Sequence, residues 1–399
     1  MRTPDLKRWR EPSTWKEAAY DPSVRATVFQ VLLALAIALL AYEIVSNTVE
    51  NLRKQNIASG FGFLSETAGF DISQTPIPYT SKSTYGAAFL VGLTNTLIVA
   101  FIGIVLATVL GFTIGIARLS PNWLVAKLAL SYVELVRNMP LLLQLLVWYV
   151  AVLRTLPSPQ EALALPGGGF LDVRGLHLPR FTLDSGGAVL AAVLVLTVIG
   201  AWWLKRQARI DREAGRSAPT RTRRVGWAFV IAAPIVALGI AFAASSVTYP
   251  VLGRFNHEGG FSIEPEFLAL VIGLSTYTAA FIAEIVRAGL QGVPRGQREA
   301  AAALGLSRRQ ALRLVILPQS LRIIIPPLTN QYLNLTKNSS LAVAIGYPDL
   351  VSVFSGTVLN QTGQAVEVIL ITMAVYLAIS LATAAFMNWF NMRTSWAER

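Results

Sequence analysis

The chain has 399 residues, 54% of them hydrophobic and 14% charged, with a mean hydropathy of +0.53. Soluble domains carry about a quarter charged residues, and several windows here reach the ~18 apolar residues that span a bilayer. A polytopic membrane protein is therefore expected. Cysteine is absent and histidine occurs twice, at His177 and His257, which removes disulfides, thiol nucleophiles and Cys/His metal sites from consideration. The net charge of +12 points to nucleic acid or an anionic surface only if the charges gather on such a face.

Eight spans are read in chain order, at about 26–45, 86–117, 123–153, 187–204, 225–245, 265–288, 323–345 and 366–390. The first follows Asp21-Pro22, lies too deep in the chain for a signal peptide and lacks a cleavage site. Between it and the second, 46–85 holds a possible surface helix, NTVENLRKQNIASGF, and then Gly/Pro-rich chain. The connection 154–186 contains Pro157, Pro159, Pro166-Gly167-Gly168-Gly169 and Pro179, which predict little regular structure. Residues 205–224 form an arginine-rich polar loop. Its role is read as topogenic, with contact to anionic lipid as the other reading.

The charges sort by side. Of 34 Lys and Arg, 26 fall in 1–25, 118–137, 205–224, 287–322 and the C-terminus, while the other side holds 8. By the positive-inside rule the first set is cytoplasmic, as are both termini. The basic surplus is then a topology signal, and nucleic acid falls away as a partner. This places Arg298–Pro318, REAAAALGLSRRQALRLVILP, in the cytoplasm. Glu299–Leu304 favours helix, and Gly305 supplies the left-handed turn that ends it. Ser307 caps a second helix, which is expected to stop at Pro318.

Polar residues inside spans are costly there and mark candidates. Asn330, Asn334, Lys337 and Asn338 form one helical stripe. Lys337 faces either an anionic substrate group in an aqueous cavity or a protein carboxylate such as Glu284. Asn138, Pro140 and Gln144 interrupt the third span, where a broken helix either lines a site or packs as a kink. Glu134/Arg137 and Glu284/Arg287 are each three residues apart, spaced to pair, the second pair as a gate or as plain stabilisation. Thr94-Asn95-Thr96 and Ser275–Thr278, which includes Tyr277, either line a path or bond neighbouring helices.

Glu299-Ala300-Ala301, three residues, Gly305, nine residues and then Val315-x-Leu317-Pro318 resemble the EAA loop of ABC-importer membrane subunits, with Val315 where isoleucine is usual. AEIVRAGLQGVPRGQ (Ala283–Gln297), YVELVRNMPLLLQ (Tyr132–Gln144) and LTKNSSLAVAIGYPDL (Leu335–Leu350) resemble the polar amino-acid permease family. Asn51–Leu64 and the chain length are similar to its general L-amino acid branch. The resemblance implies an all-α integral membrane protein with a five-helix type I importer core (spans two, three, six, seven and eight), an extra N-terminal helix and an inserted helix pair.

On that reading the units are a cytoplasmic N-terminus (1–25), an extra span (26–45), a periplasmic loop (46–85), the first part of the core (86–153), an insertion (154–264), the second part of the core with its coupling loop (265–390) and a cytoplasmic tail (391–399). Glu299, Ala300, Ala301, Gly305, Leu317 and Pro318 would couple to an ATPase. The chain has no G-x-x-x-x-G-K-[ST], so ATP and Mg are expected on partner ATPase subunits and no cofactor or catalysis in this chain. A homologous second permease subunit, an ATPase dimer, a periplasmic amino-acid-binding protein and an L-amino acid substrate complete the implied partners, in the bacterial inner membrane. Asn138, Gln144, Tyr277, Asn334, Lys337, Asn338 and Ser339 form the candidate substrate path, and Glu284 and Arg287 a candidate gate. Where the family often has Lys-Asp-Thr-Ser, this chain has Lys337-Asn338-Ser339-Ser340, which withdraws a carboxylate from that path. A secondary transporter or channel driven by an ion gradient is the alternative, with Lys337 and Glu284 as relays, but such a protein has no use for an EAA loop.

Overall fold

The computed structural model describes residues 22–54, 60–182, 186–213 and 246–394, with scattered positions between 226 and 239. Helix α1 (Pro22–Lys54) is exposed along its apolar length and stands apart from the rest, as a lipid-facing span does. The two longest-packed helices are α2 (Tyr85–Ala117) and α6 (Pro265–Gln291). Thr84 caps α2 by accepting a hydrogen bond from the Ala87 amide at 3.2 Å.

The α2–α6 seam is set by small residues. Gly103, Ala107, Gly111 and Gly115 recur every fourth position on α2, and all four are buried. A methyl group at Gly111 would sit 2.6 Å from Ile282 Cβ, and one at Gly115 would sit 2.7 Å from the Ala283 carbonyl oxygen. Such a stripe brings two backbones together in lipid, where helices associate through packing rather than the hydrophobic effect. Gly273 and Gly289 of α6 receive Leu145 and Ile324 in the same way.

The third expected span is broken. Helices α3 (Trp123–Asn138) and α4 (Leu141–Leu146, continued by a wide turn over Val147–Val152) meet at 108°. Pro140 cannot donate a backbone hydrogen bond, and Gln144 bridges the corner by donating from Nε2 to the carbonyls of Val136 (2.8 Å) and Met139 (3.1 Å).

Chain 154–182, within the connection expected to hold little regular structure, instead forms short strands, some of them paired with 246–263. Strands β1 (Leu163–Leu165), β2 (Gly169–Asp172), β3 (Gly175–Leu178) and β8 (Phe261–Ile263) form an antiparallel sheet in that order. Strands β4 (Arg180–Thr182) and β5 (Ser246–Thr248) pair separately, as do β6 (Val251–Leu252) and β7 (His257–Glu258). The Gly/Pro cluster makes a hairpin turn, with Gly167 and Gly168 at φ of 90° and 80°. Helix α5 (Gly186–Glu213) leaves from this cap. The fifth expected span, 225–245, lies largely outside the described residues.

Helix α6 leads to α7 (Arg295–Ala303), α8 (Arg308–Ala311) and a wide turn at Leu312–Ile316. That turn runs without a stop into α9 (Leu317–Asn338). Pro318 therefore does not end the second helix. The wide turn removes the i→i−4 bond that Pro318 cannot make. A 3₁₀ stretch (Ser339–Ile345), a second wide turn (Val351–Val358) with α10 (Leu359–Thr362), and α11 (Ala365–Thr394) complete the chain. The 60–85 segment packs onto this end of the bundle through Phe63, which is 2% exposed. Its Gly60 amide donates to Glu367 at 2.6 Å.

Candidate functional site

The charged loop after α6 is a built object. The Leu306 amide donates to the Ala301 carbonyl (3.1 Å) and the Gly305 amide to the Ala302 carbonyl (2.9 Å). With Gly305 at φ 71°, this is the paired bonding that closes a helix through a left-handed glycine. Ser307 and Gln310 then form a reciprocal capping box that starts α8. Two ties hold the loop to the bundle: Arg298 Nη2 donates to the Leu290 carbonyl at 2.8 Å, and Gln319 Nε2 donates to Gln297 Oε1 at 3.1 Å.

The loop's two faces divide cleanly. Ala301 is 2% exposed and packs inward, so its small size serves the chain's own packing. Glu299 and Ala300 face outward, and Leu304 is 79% exposed at the apex. Leu304 was absent from the expected coupling set. An apolar side chain of this size on an exposed turn leaves about 1.5–3 kcal/mol of burial unused. Leu317 and Pro318 are also exposed, at the foot of α9.

Above this loop, Glu284 of α6 joins two arginines. Arg287 Nη2 lies 2.5 Å from its Oε1, and Arg118, at the end of α2, reaches Oε2 with Nη1. Arg118 supplies the partner that sequence spacing did not reveal, because it comes from another helix. Arg118 and Arg287 border a cavity of about 320 Å³ lined also by Trp123, Lys127 and Gln291. Glu284 is thus committed to arginines. Lys337 stands near the far end of α9, which runs back along the bundle for 22 residues, so a Glu284–Lys337 pair does not form.

The polar stripe of α9 points away from the chain's own core. Asn330, Asn334 and Lys337 are exposed and Asn338 is half-buried, whereas Ile324, Leu328 and Leu335 on the other face are buried. Lys337 has no carboxylate within ion-pair distance among the described residues. It borders a cavity of about 410 Å³ with Ser340, Thr372, Tyr376 and Ser380. The remaining candidates do not gather with it. Gln144 is 6% exposed and consumed by the α3–α4 corner. Asn138 donates to the Glu134 carbonyl at 2.8 Å, and the Arg137 guanidinium lies over Phe281 at 5.2 Å rather than pairing with Glu134. Tyr277 packs on Phe281, and Ser339 is buried, donating to the Thr336 carbonyl at 2.7 Å.

Two polar patches serve the fold. Asn95 Nδ2 donates to the carbonyls of Gln74 and Pro348, and Thr96 accepts from the Leu350 amide at 3.0 Å. Ser275 reaches the Gly103 carbonyl at 3.5 Å across the α2–α6 seam. His177 and His257 both meet Asp172 inside the β cap, a grouping that residue count alone did not reveal.

A family described as the inner membrane component of binding-protein-dependent transport systems matches residues 103–396. The general L-amino acid transport system permease protein AapQ of Rhizobium johnstonii is 47% identical over 386 residues, covering 97% of this chain and 96% of that protein. The putative amino-acid ABC transporter permease protein YhdX of Escherichia coli is 49% identical over 380 residues, covering 95% and 96%. The glutamate/glutamine/aspartate/asparagine transport system permease protein BztB of Rhodobacter capsulatus is 41% identical over 412 residues, covering 95% and 96%. The match over most of the core helices and these full-length likenesses agree: the chain belongs to the family of binding-protein-dependent transport system inner membrane components.

Proposed function

We propose that the chain is the transmembrane permease subunit of an ATP-driven importer of L-amino acids, working beside a homologous second permease subunit. The names of three full-length relatives support the amino-acid class. The lack of a phosphate-binding P-loop sequence supports the reading that ATP and Mg bind a pair of partner ATPase subunits. A periplasmic amino-acid-binding protein delivers the substrate. The arginine-rich loops support a cytoplasmic location for both termini of an inner-membrane protein, with 46–85 and the β cap on the periplasmic side.

The observation that carries the coupling role is the exposed apex of Leu304 beside Glu299 and Ala300, on a loop fixed by its own caps. ATPase closure pulls this rigid turn. α6 and α9, joined directly to it, move with it and alternate the access of a central path. The exposed α9 stripe at Asn330, Asn334 and Lys337 borders that path against the second permease, because a lysine turned to lipid at mid-membrane costs about 2.5–3.5 kcal/mol. Asn338 is half-buried at its edge. The Arg118–Glu284–Arg287 cluster joins α2 to α6 near the coupling loop and holds the cytoplasmic gate.

The test is uptake and ATPase rate in reconstituted complexes carrying Glu299→Lys or Leu304→Glu. Both positions are exposed, so folding is retained while substrate-stimulated ATPase and uptake fall together. Unchanged uptake in both variants removes the coupling assignment.

A further inference from the structure

The β cap holds the chain's only two histidines. Asp172 ends β2, His177 lies in β3 and His257 opens β7, with 85 positions separating Asp172 from His257. The Asp172 side chain is fully buried, and those of His177 and His257 are 6% and 2% exposed. Asp172 Oδ2 is 3.3 Å from His177 Nε2 and 3.1 Å from His257 Nδ1. No Lys or Arg side chain pairs with this carboxylate among the described residues. Its other oxygen accepts from the Arg174 backbone amide at 2.7 Å.

A carboxylate this deep costs several kcal/mol unless its charge is met. Either imidazole N–H groups donate to it or a cation sits among the three groups. The geometry fits a cation. One carboxylate oxygen and two imidazole nitrogens converge within 4.8 Å of one another. The 3.1 and 3.3 Å separations match the roughly 3.3 Å edge of a tetrahedron built on bonds of about 2.0 Å. The supporting contacts are those a ligand set needs. His177 Nδ1 lies 2.8 Å from Ser262 Oγ, its register partner across β3 and β8, so an Nδ1–H donated there turns the Nε2 lone pair toward Asp172. Phe170 stacks on the His257 ring at 4.7 Å and fixes its plane.

We propose that Asp172, His177 and His257 bind a divalent transition metal, zinc by their donor set, which fastens the two halves of the insertion across the intervening helical segment. Two imidazoles and one carboxylate are a zinc-type set with a fourth position for water. The role is structural: β2 and β3 precede the inserted spans and β7 follows them. This reading is independent of the transport proposal.

The full chain, purified in detergent through a tag free of histidine and stripped by chelator, is titrated with Co²⁺, whose tetrahedral complexes absorb visibly. With two histidines and no cysteine in the chain, a saturable tetrahedral band with imidazole ligands has no other source. The expected result is a stoichiometric band displaced by Zn²⁺, a melting temperature lowered by stripping and restored by Zn²⁺, and loss of the band in His257→Gln. Ser262→Ala should weaken cobalt binding by about 10- to 100-fold. A band retained in His257→Gln overturns the site. So does an unsubstituted chain with neither a saturable band nor a zinc-dependent melting shift, which would leave Asp172 paired with histidine protons. That last measurement decides the matter even where the variant fails to fold.

Discussion

Lys337 shows how a single residue's meaning changes when its neighbours are known. Spacing alone allowed it to pair with Glu284, but Arg118 and Arg287 hold that carboxylate, and Lys337 instead borders a cavity. Its ammonium is then free to meet the carboxylate of a bound amino acid. Such a contact is worth about 1.5–3 kcal/mol, or roughly ten- to a hundred-fold in affinity. Lys337→Met keeps the length and apolar stem, so assembly survives while uptake falls, most for acidic substrates. Concentration-dependent uptake across a panel of amino acids measures this. Normal uptake of every one would leave Lys337 without a transport role. The stripe itself was legible because polar residues at helical spacing stand out in an apolar helix. Gln144 stood out equally, yet it serves a corner, since sequence does not reveal which carbonyls a proline leaves open.

At the scale of elements, the charged loop after α6 was readable where its signals are local. Gly305 and Ser307 act through their own backbone and caps, and both do so in the structure. Pro318 misled because the wide turn at Leu312–Ile316, just before it, had no sequence mark. The α2 stripe of Gly103, Ala107, Gly111 and Gly115 carried a mark, small residues at every fourth position, hidden within a uniformly apolar span. It yields a sharp contrast. Gly111→Ala places a methyl 2.6 Å from Ile282 Cβ and 3.0 Å from the Ala279 carbonyl oxygen. These are stiff neighbours, so overpacking should cost about 1–3 kcal/mol. Gly296→Ala, in α7 with nothing within 4 Å, should instead gain roughly 0.5–1 kcal/mol from helix propensity. Melting curves of the two variants in detergent measure the difference, and equal effects would disprove a tight α2–α6 seam.

Across the whole molecule, length and apolarity made most spans readable, whereas the β cap was not. Its strands are two to four residues long, and their partners lie across the inserted helices. No local window contains both sides of such a ladder, and the same distance hid the histidine pair. The cap nevertheless explains how a core tolerates a large insertion. β3 pairs with β8 and β4 with β5, so the insertion's two ends are joined before its helices begin. In the β4–β5 ladder Thr182 stands directly opposite Ser246, which is the geometry a two-residue hairpin turn closes. Replacing 183–245 with Asn-Gly should therefore leave the cap intact. Removing an expected pair of spans also keeps the later helices in their orientation, because an even number is lost. If the pair lies at the periphery, the shortened chain inserts, assembles and imports amino acids at a rate near that of the full chain. Loss of uptake from a shortened chain that still inserts and holds its partners would place the inserted helices in the transport path itself.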